Sequence, residues 1–279
     1  MEIIMITGIV VFMITSIFVI KQKKRSNKKI IQQQGLVYVG QIKQLITYVQ
    51  QHRGLMSAWL NGDTSVQTKL AQLKQKILQL DKQLSTSSVS QNERLAGFND
   101  HWQRLLQLNN KPSVANSFEQ HTMMIRNLAY LLEDTAESSY LTSDHLSAFP
   151  HVGFVWRELV LATENIGQSR ALGTGVAAQH FCSSVDKIRL NFLSQTMADT
   201  VENTLQQLSS LPHEQDTHKV LISSASNHMN QLINTISAEL VNASKVLVNS
   251  SDYFDLATNT MQQMDAIFAH QVKQLHSSL

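Results

Sequence analysis

Apolar residues recur three and four positions apart along most of the chain. Ile42, Ile46, Val49, Met56 and Leu60 keep that spacing, with Arg53 completing the series; Met261, Met264, Phe268, Val272 and Leu275 repeat it near the C-terminus. A helical period of this kind predicts amphipathic helices. Pro112, Pro150 and Pro212 fall between periodic runs, and NGDTS (61–65), STSSVSQ (85–91) and VNSSD (248–252) are turn-forming clusters. Eight helical segments follow, roughly 31–61, 65–84, 91–109, 114–139, 152–181, 184–210, 214–247 and 252–276. Pro150 divides them four and four. Each half, 31–149 and 151–279, is long enough for an antiparallel four-helix bundle. The first and fifth segments are long enough to run through both halves or to pack side by side, and the pattern does not choose.

The N-terminus has a different pattern. Ile3 to Ile20 is an uncharged, mostly apolar run, and six basic residues follow between Lys21 and Lys29. The length is about the shortest that crosses a bilayer. A signal peptide would place basic residues before the apolar run and a small-x-small site after it, and SIFVIKQKKR has no such site. The expectation is a transmembrane anchor at 1–20, a basic juxtamembrane linker at 21–30, and an all-α domain at 31–279. The positive-inside rule then puts the N-terminus outside a bacterial inner membrane and the domain in the cytoplasm.

Composition narrows the class. The chain has 279 residues, 43% of them apolar and 16% charged, with 10 glycines and 3 prolines. That is enough apolar surface for a core, and too few chain breakers for a β-sandwich, a propeller or a Gly-rich nucleotide fold. One cysteine excludes a disulfide framework and a thiolate zinc site. Taking the six basic residues and Glu2 from the totals of 23 and 21 leaves residues 30–279 with a net charge of −3. No basic face for nucleic acid is expected.

One repeat stands out. Gln51-His52-Arg53-Gly54-Leu55-Met56-Ser57-Ala58 matches Gln168-Ser169-Arg170-Ala171-Leu172-Gly173-Thr174-Gly175 at an offset of 117 residues. Each copy lies late in the first helix of its half, as a duplicated or converged four-helix unit requires. Arg53 sits on the stripe of Val49 and Met56. Arg170 follows Leu159, Thr163 and Ile166 at the same spacing. Both guanidinium groups should therefore point inward, where an unpaired charge is expensive and cannot be shed. In this register Glu158 and Glu164 lie off the stripe. Gly54, Ser57, Gly167, Gly173 and Gly175 leave room, and Gln51, Gln168, Ser57 and Thr174 supply neutral donors. Two arginines with neutral donors and no acid describe a pocket for a small anion. The bland alternative is that each arginine snorkels to the bundle edge or meets a carboxylate on another helix, with Glu133, Asp134, Glu137 and Glu239 as candidates.

QHRGLMSAWLNGD and ENIGQSRALGTGVAAQ resemble the two arginine motifs of the nitrate- and nitrite-sensing (NIT) domain family. Such domains occur in bacterial chemoreceptors, sensor kinases and antiterminators. The resemblance implies two stacked four-helix bundles with nitrate between two arginines, here Arg53 and Arg170. The second copy departs from the pattern at Ala171, where glycine is expected.

Other constellations carry less. None of the eleven histidines forms HExxH, and His213 and His218 are five apart, off a common helix face. His52 beside Arg53 is expected to pack. On a helix, Cys182 and His180 would point apart. No catalytic residue, metal ligand or cofactor is expected. Trp59 and Trp156 lie near the motifs as fluorescent reporters. The sequence-level reading is a membrane-anchored cytoplasmic sensor that binds nitrate or nitrite between Arg53 and Arg170. Gln51, Gly54, Ser57, Gln168, Gly173 and Thr174 would support the pocket. Helix shifts would signal to an effector protein, with a homodimer expected by analogy alone. The alternative is a ligand-free helical scaffold or adaptor at the inner membrane, whose arginines pair with carboxylates.

Overall fold

The computed structural model describes the backbone of residues 2–107, 112–209 and 215–279, and their side chains except at 2–14, 209 and 215. Helices α1 (Glu2–Leu60), α2 (Gln67–Ser85), α3 (Glu93–Leu106) and α4 (Val114–Ser138) form the first half. The second half opens with a single turn, α5 (Val152–Trp156), and the long α6 (Glu158–Gln179). Helix α7 (Ser184–Asp199) passes through a π-helical stretch, Thr200–Leu205, into a final turn, α8 (Gln206–Ser209). Helix α9 (Gln215–Thr235) ends in a second π-helical stretch, Ile236–Val241, and α10 (Ser250–Ser278) closes the chain. Among the described residues there is no β-strand, so the all-α expectation holds. His213 lies outside the described residues.

Local chemistry sets the helix starts. Asn92, Ser113, Ser183 and Asn249 each accept a hydrogen bond from a backbone N–H of the first turn of α3, α4, α7 and α10. The periodic stripes then face inward: Ile42, Ile46 and Val49 in α1 and Met264 and Leu275 in α10 are buried. In each half the first long helix packs most closely on the last, α1 on α4 and α6 on α10. The halves meet where α1 and α4 lie against α5, α6 and α10. Across that seam buried Lys43 pairs with Asp265, Nζ to Oδ1 2.5 Å.

The N-terminal expectation is corrected. Among the described residues no helix is long and apolar enough to cross a membrane. The single-pass placement at a bacterial inner membrane, N-terminus outside and domain in the cytoplasm, is therefore set aside. The side chains at 2–14, which hold most of the apolar run, lie outside the described residues. The helix expected to start near 31 instead continues unbroken from Glu2 through the basic run.

The first bundle holds a buried histidine pair. His52 Nδ1 lies 2.8 Å from His121 Nε2, and His121 Nδ1 lies 2.6 Å from the Ser117 carbonyl. A carbonyl only accepts, so His121 donates from Nδ1, accepts at Nε2, and His52 donates from Nδ1. Trp102 meets His52 edge-on. Both rings are kept neutral. Burial, then His121 and Lys74, lower His52 to about 3. Burial, with Arg53 and His101 acting the same way against the Ser117 carbonyl, lowers His121 to about 4.

Two predictions follow from this packing. A Cβ on Gly35 would collide with the Ser139 side chain, whereas one on Gly40 meets nothing within 4 Å. Gly35→Ala should cost about 1–3 kcal/mol in urea unfolding, and Gly40→Ala should gain about 0.5–1 kcal/mol. The histidines give a pH dependence. Their folded pKa values lie below the unfolded one, so their contribution is complete above about 6.5 and is lost as pH falls toward about 4 and about 3. Each excluded proton contributes a slope of up to about 1.4 kcal/mol per pH unit in that window. Unfolding measured from pH 7 to 4.5 should show this slope, flattened in a His52→Gln/His121→Gln double variant.

Candidate functional site

Arg53 and Arg170 are both buried, with 1% and 9% exposure. Each is held in the same way by the last helix of its own half. Arg53 Nη1 donates to Thr122 Oγ1 at 3.0 Å, and its guanidinium lies 5.0 Å from the Phe118 ring centre. Arg170 Nη1 donates to Thr258 Oγ1 at 3.0 Å, and its guanidinium lies 4.9 Å from the Phe254 ring centre. Phe118/Thr122 on α4 and Phe254/Thr258 on α10 are both i, i+4 pairs, which share a helix face. The repeat in the motif helices is thus answered by a second repeat, Phe-x-x-x-Thr, in the facing helices. The ring face attracts the cation and the hydroxyl takes one N–H.

The halves differ in counter-charge. Glu164, on α6, meets Arg53 with Oε1 2.5 Å from Nη1 and Oε2 3.2 Å from Nη2. Gln50 Nε2 donates to Oε2 at 3.0 Å and Gln168 Nε2 to Oε1 at 2.9 Å. Glu164 is itself buried. Arg170 is different: among the described residues no carboxylate lies within salt-bridge reach of it. Burial first, then the positive charge of Arg53, brings Arg170 down to about 10, with Glu164 pulling the other way. At neutral pH it stays charged. The two cations and one carboxylate leave the buried site with a net charge of +1.

The expected register of Glu164 is corrected here. Helix α6 buries residues on nearly all sides, including Val160, Ala162, Thr163, Glu164, Ile166 and Gly167, because it sits between α1 and α4 on one side and α7 and α10 on the other. A single-stripe reading suits a helix with one dry face, and α6 has two. Glu164 therefore points at α1 while Arg170 points at α10. Of the other suggested acids, Glu133 pairs with Arg157 and Asp134 with Arg94, both at the surface.

The supporting residues divide. Gln168 belongs to the Glu164 cluster. Gln51 is exposed, and its neighbour Gln50 makes the inward contact instead. The α1 register places Gln50, not Gln51, toward α6. Gly54 has open space beside it, whereas Gly173 lies against Tyr253, whose hydroxyl donates to the Ser169 carbonyl at 3.0 Å. Gly173 thus makes room for a tyrosine, not for an anion. Gly167 serves the site, since a Cβ there would come within 3.0 Å of Arg53 Nη2. Thr174 Oγ1 is buried without a hydrogen-bond partner. Ser57 lines a cleft of about 910 Å³ between α1, α4, α6 and α7. That cleft also reaches Phe118, Thr122 and Gln168, the residues that touch Arg53 and Glu164, and carries Arg126 and Arg189 at its exposed edge. Glu119 and Asp186 line it too, whereas Arg53, Arg170 and Glu164 do not. Among the described residues no cluster of metal-ligating side chains occurs, and His180, which leaves α6 in a left-handed conformation, does not share a helix with Cys182.

No curated protein matches the chain. Among solved structures the chain is similar to that of the NasR transcription antiterminator, with a TM-score of 0.64 at 16% identity over 91% of this chain and 70% of the other. That likeness concerns the fold. The sequence profile of the family described as nitrate and nitrite sensing matches residues 44–276, a span that contains both arginine motifs, Glu164 and both Phe-x-x-x-Thr pairs. The chain belongs to the nitrate and nitrite sensing family.

Proposed function

We propose that the chain senses nitrate or nitrite by binding the anion beside Arg170 and Arg53, and that it passes the event to an effector protein through shifts of the helices that carry them. The observation that carries this reading is the unbalanced charge. Two buried guanidinium groups are balanced by one buried carboxylate, which Arg53 holds, and Arg170 holds a single side-chain hydroxyl through Nη1. A monovalent anion would neutralise the remainder. Planar oxyanions present an O–N–O edge that suits a guanidinium fork, and in a dry site such charge-assisted bonds are strong. The family description names the same anions. An anion shifts a conformational equilibrium only by its differential affinity for the two states. Here the difference would come from relief of the repulsion between Arg53 and Arg170, which α1 and α6 carry toward one another.

A second reading, a ligand-free helical scaffold, draws on the Arg53–Glu164 ion pair, because an arginine with a buried acid partner needs no ligand. It leaves Arg170 unexplained.

Calorimetric titration of the full chain with nitrate, nitrite and chloride separates the two. Nitrate or nitrite should bind and chloride should not compete. Arg170→Ala and Arg53→Ala should each weaken binding by roughly a hundredfold or more while leaving far-ultraviolet helicity nearly intact. Their stabilities should differ. Arg53→Ala strands Glu164 and should cost about 3–5 kcal/mol, whereas Arg170→Ala removes a charge with no acidic partner and should cost much less. Normal nitrate binding by Arg170→Ala would sink the site, and a folded wild type that binds neither anion would leave the scaffold standing.

A further inference from the structure

The site contains an anion already, supplied by the chain. Glu164 presents its carboxylate edge to Arg53 and takes four donors: two from Arg53, one from Gln50 and one from Gln168. It is buried. Its partners saturate the two oxygens, so it has little freedom to leave. Its effect on Arg170 is felt through space, opposing the effects of burial and of Arg53. The groups that hold this carboxylate are Arg53 and Gln50 from α1 and Gln168 from its own helix, with Arg170 coupled to it through space alone; the nearby histidines, His52 and His121, are neutral.

We infer that Glu164 is a specificity-determining residue that fixes the charge of the site at +1, so that it admits monovalent planar oxyanions and rejects divalent oxyanions such as sulfate. The inference rests on the sensing reading above and adds to it the residue that selects by charge. Without Glu164 the two arginines would leave +2, the charge that suits a dianion. A monoanion brings a +1 site to neutrality, whereas a dianion leaves it with an uncompensated negative charge, which a buried site penalises.

The test uses the full chain and two variants. Glu164→Gln keeps the shape and one acceptor oxygen while removing the charge, and Glu164→Asp keeps the charge and shortens the reach. Each is titrated with nitrate and with sulfate at constant ionic strength. In Glu164→Gln the ratio of sulfate affinity to nitrate affinity should rise roughly tenfold or more over the wild type. In Glu164→Asp the ratio should stay near the wild-type value, whatever happens to overall affinity. A merely structural role would lower affinity for both anions together and leave the ratio unmoved. An unchanged ratio in a folded Glu164→Gln protein, or no sulfate binding by it, overturns the inference while wild-type nitrate binding still upholds the sensor. A wild type that binds no nitrate, beside a Glu164→Gln protein that takes up sulfate, removes the sensing reading and keeps the role of Glu164 in setting the charge.

Discussion

A guanidinium group in a helical core has to be answered by something. It cannot lose its proton at neutral pH, and left alone its burial costs several kcal/mol. Two such groups, Arg53 and Arg170, stand near the seam between the bundles, and much of the surrounding sequence is arranged around them. Phe118 and Phe254 cover their faces, Thr122 and Thr258 take an N–H from each, and Gly167 clears the space that Arg53 Nη2 fills. The Glu164 carboxylate, steadied by Gln50 and Gln168, answers one of the two charges.

The near-symmetry of the halves makes the missing second acid informative. Matching arginine motifs, matching Phe-x-x-x-Thr pairs and matching first-on-last helix contacts describe one unit used twice. Symmetry then predicts an acid for each arginine or for neither. Only α6 supplies one, and it crosses the seam to the arginine of the other half. The unit has thus been made asymmetric at the position that sets the net charge. A buried ion pair is weak evidence for stability on its own. In the proposed reading it sets the electrostatics beside the second cation, which would be a stronger reason for its presence.

Much of this was legible in the sequence, and the part that was not has a definite cause. The helix period and the prolines give the bundles, because each amphipathic helix with one dry face writes its register in plain form; Ile42, Ile46, Val49 and Met264 lie where the spacing puts them. The inward direction of both arginines came from the same rule. Glu164 was missed because α6 is dry on two faces, so a residue off one stripe lies on another. The sequence held a usable signal in Glu164, which lies one turn before the second motif and i, i+4 from Gln168, the motif's first residue. The Phe-x-x-x-Thr repeat went unread because two residues in a helical pattern are too common to stand out before the arginines locate them. Gln51 and Gly173 were drawn in by the repeat itself, though Gln50 makes the inward contact and Gly173 accommodates Tyr253. The apolar run at the N-terminus suggested a membrane span on hydropathy alone; among the described residues no helix meets that requirement.

Helix α6 is where binding and signalling would have to meet in the proposed reading. It carries Glu164 toward α1 and Arg170 toward α10, so it is fixed to both bundles by charged groups on opposite sides. Its remaining contacts are close-packed, as with Gly173 against Tyr253, and a packed interior shifts between discrete arrangements more readily than it deforms. An anion that neutralises Arg170 therefore acts on a helix that cannot move against one bundle without moving against the other. The charge that would make the pocket selective and the packing that would make it responsive lie on the same helix, Glu164 and Gly173 about two and a half turns apart.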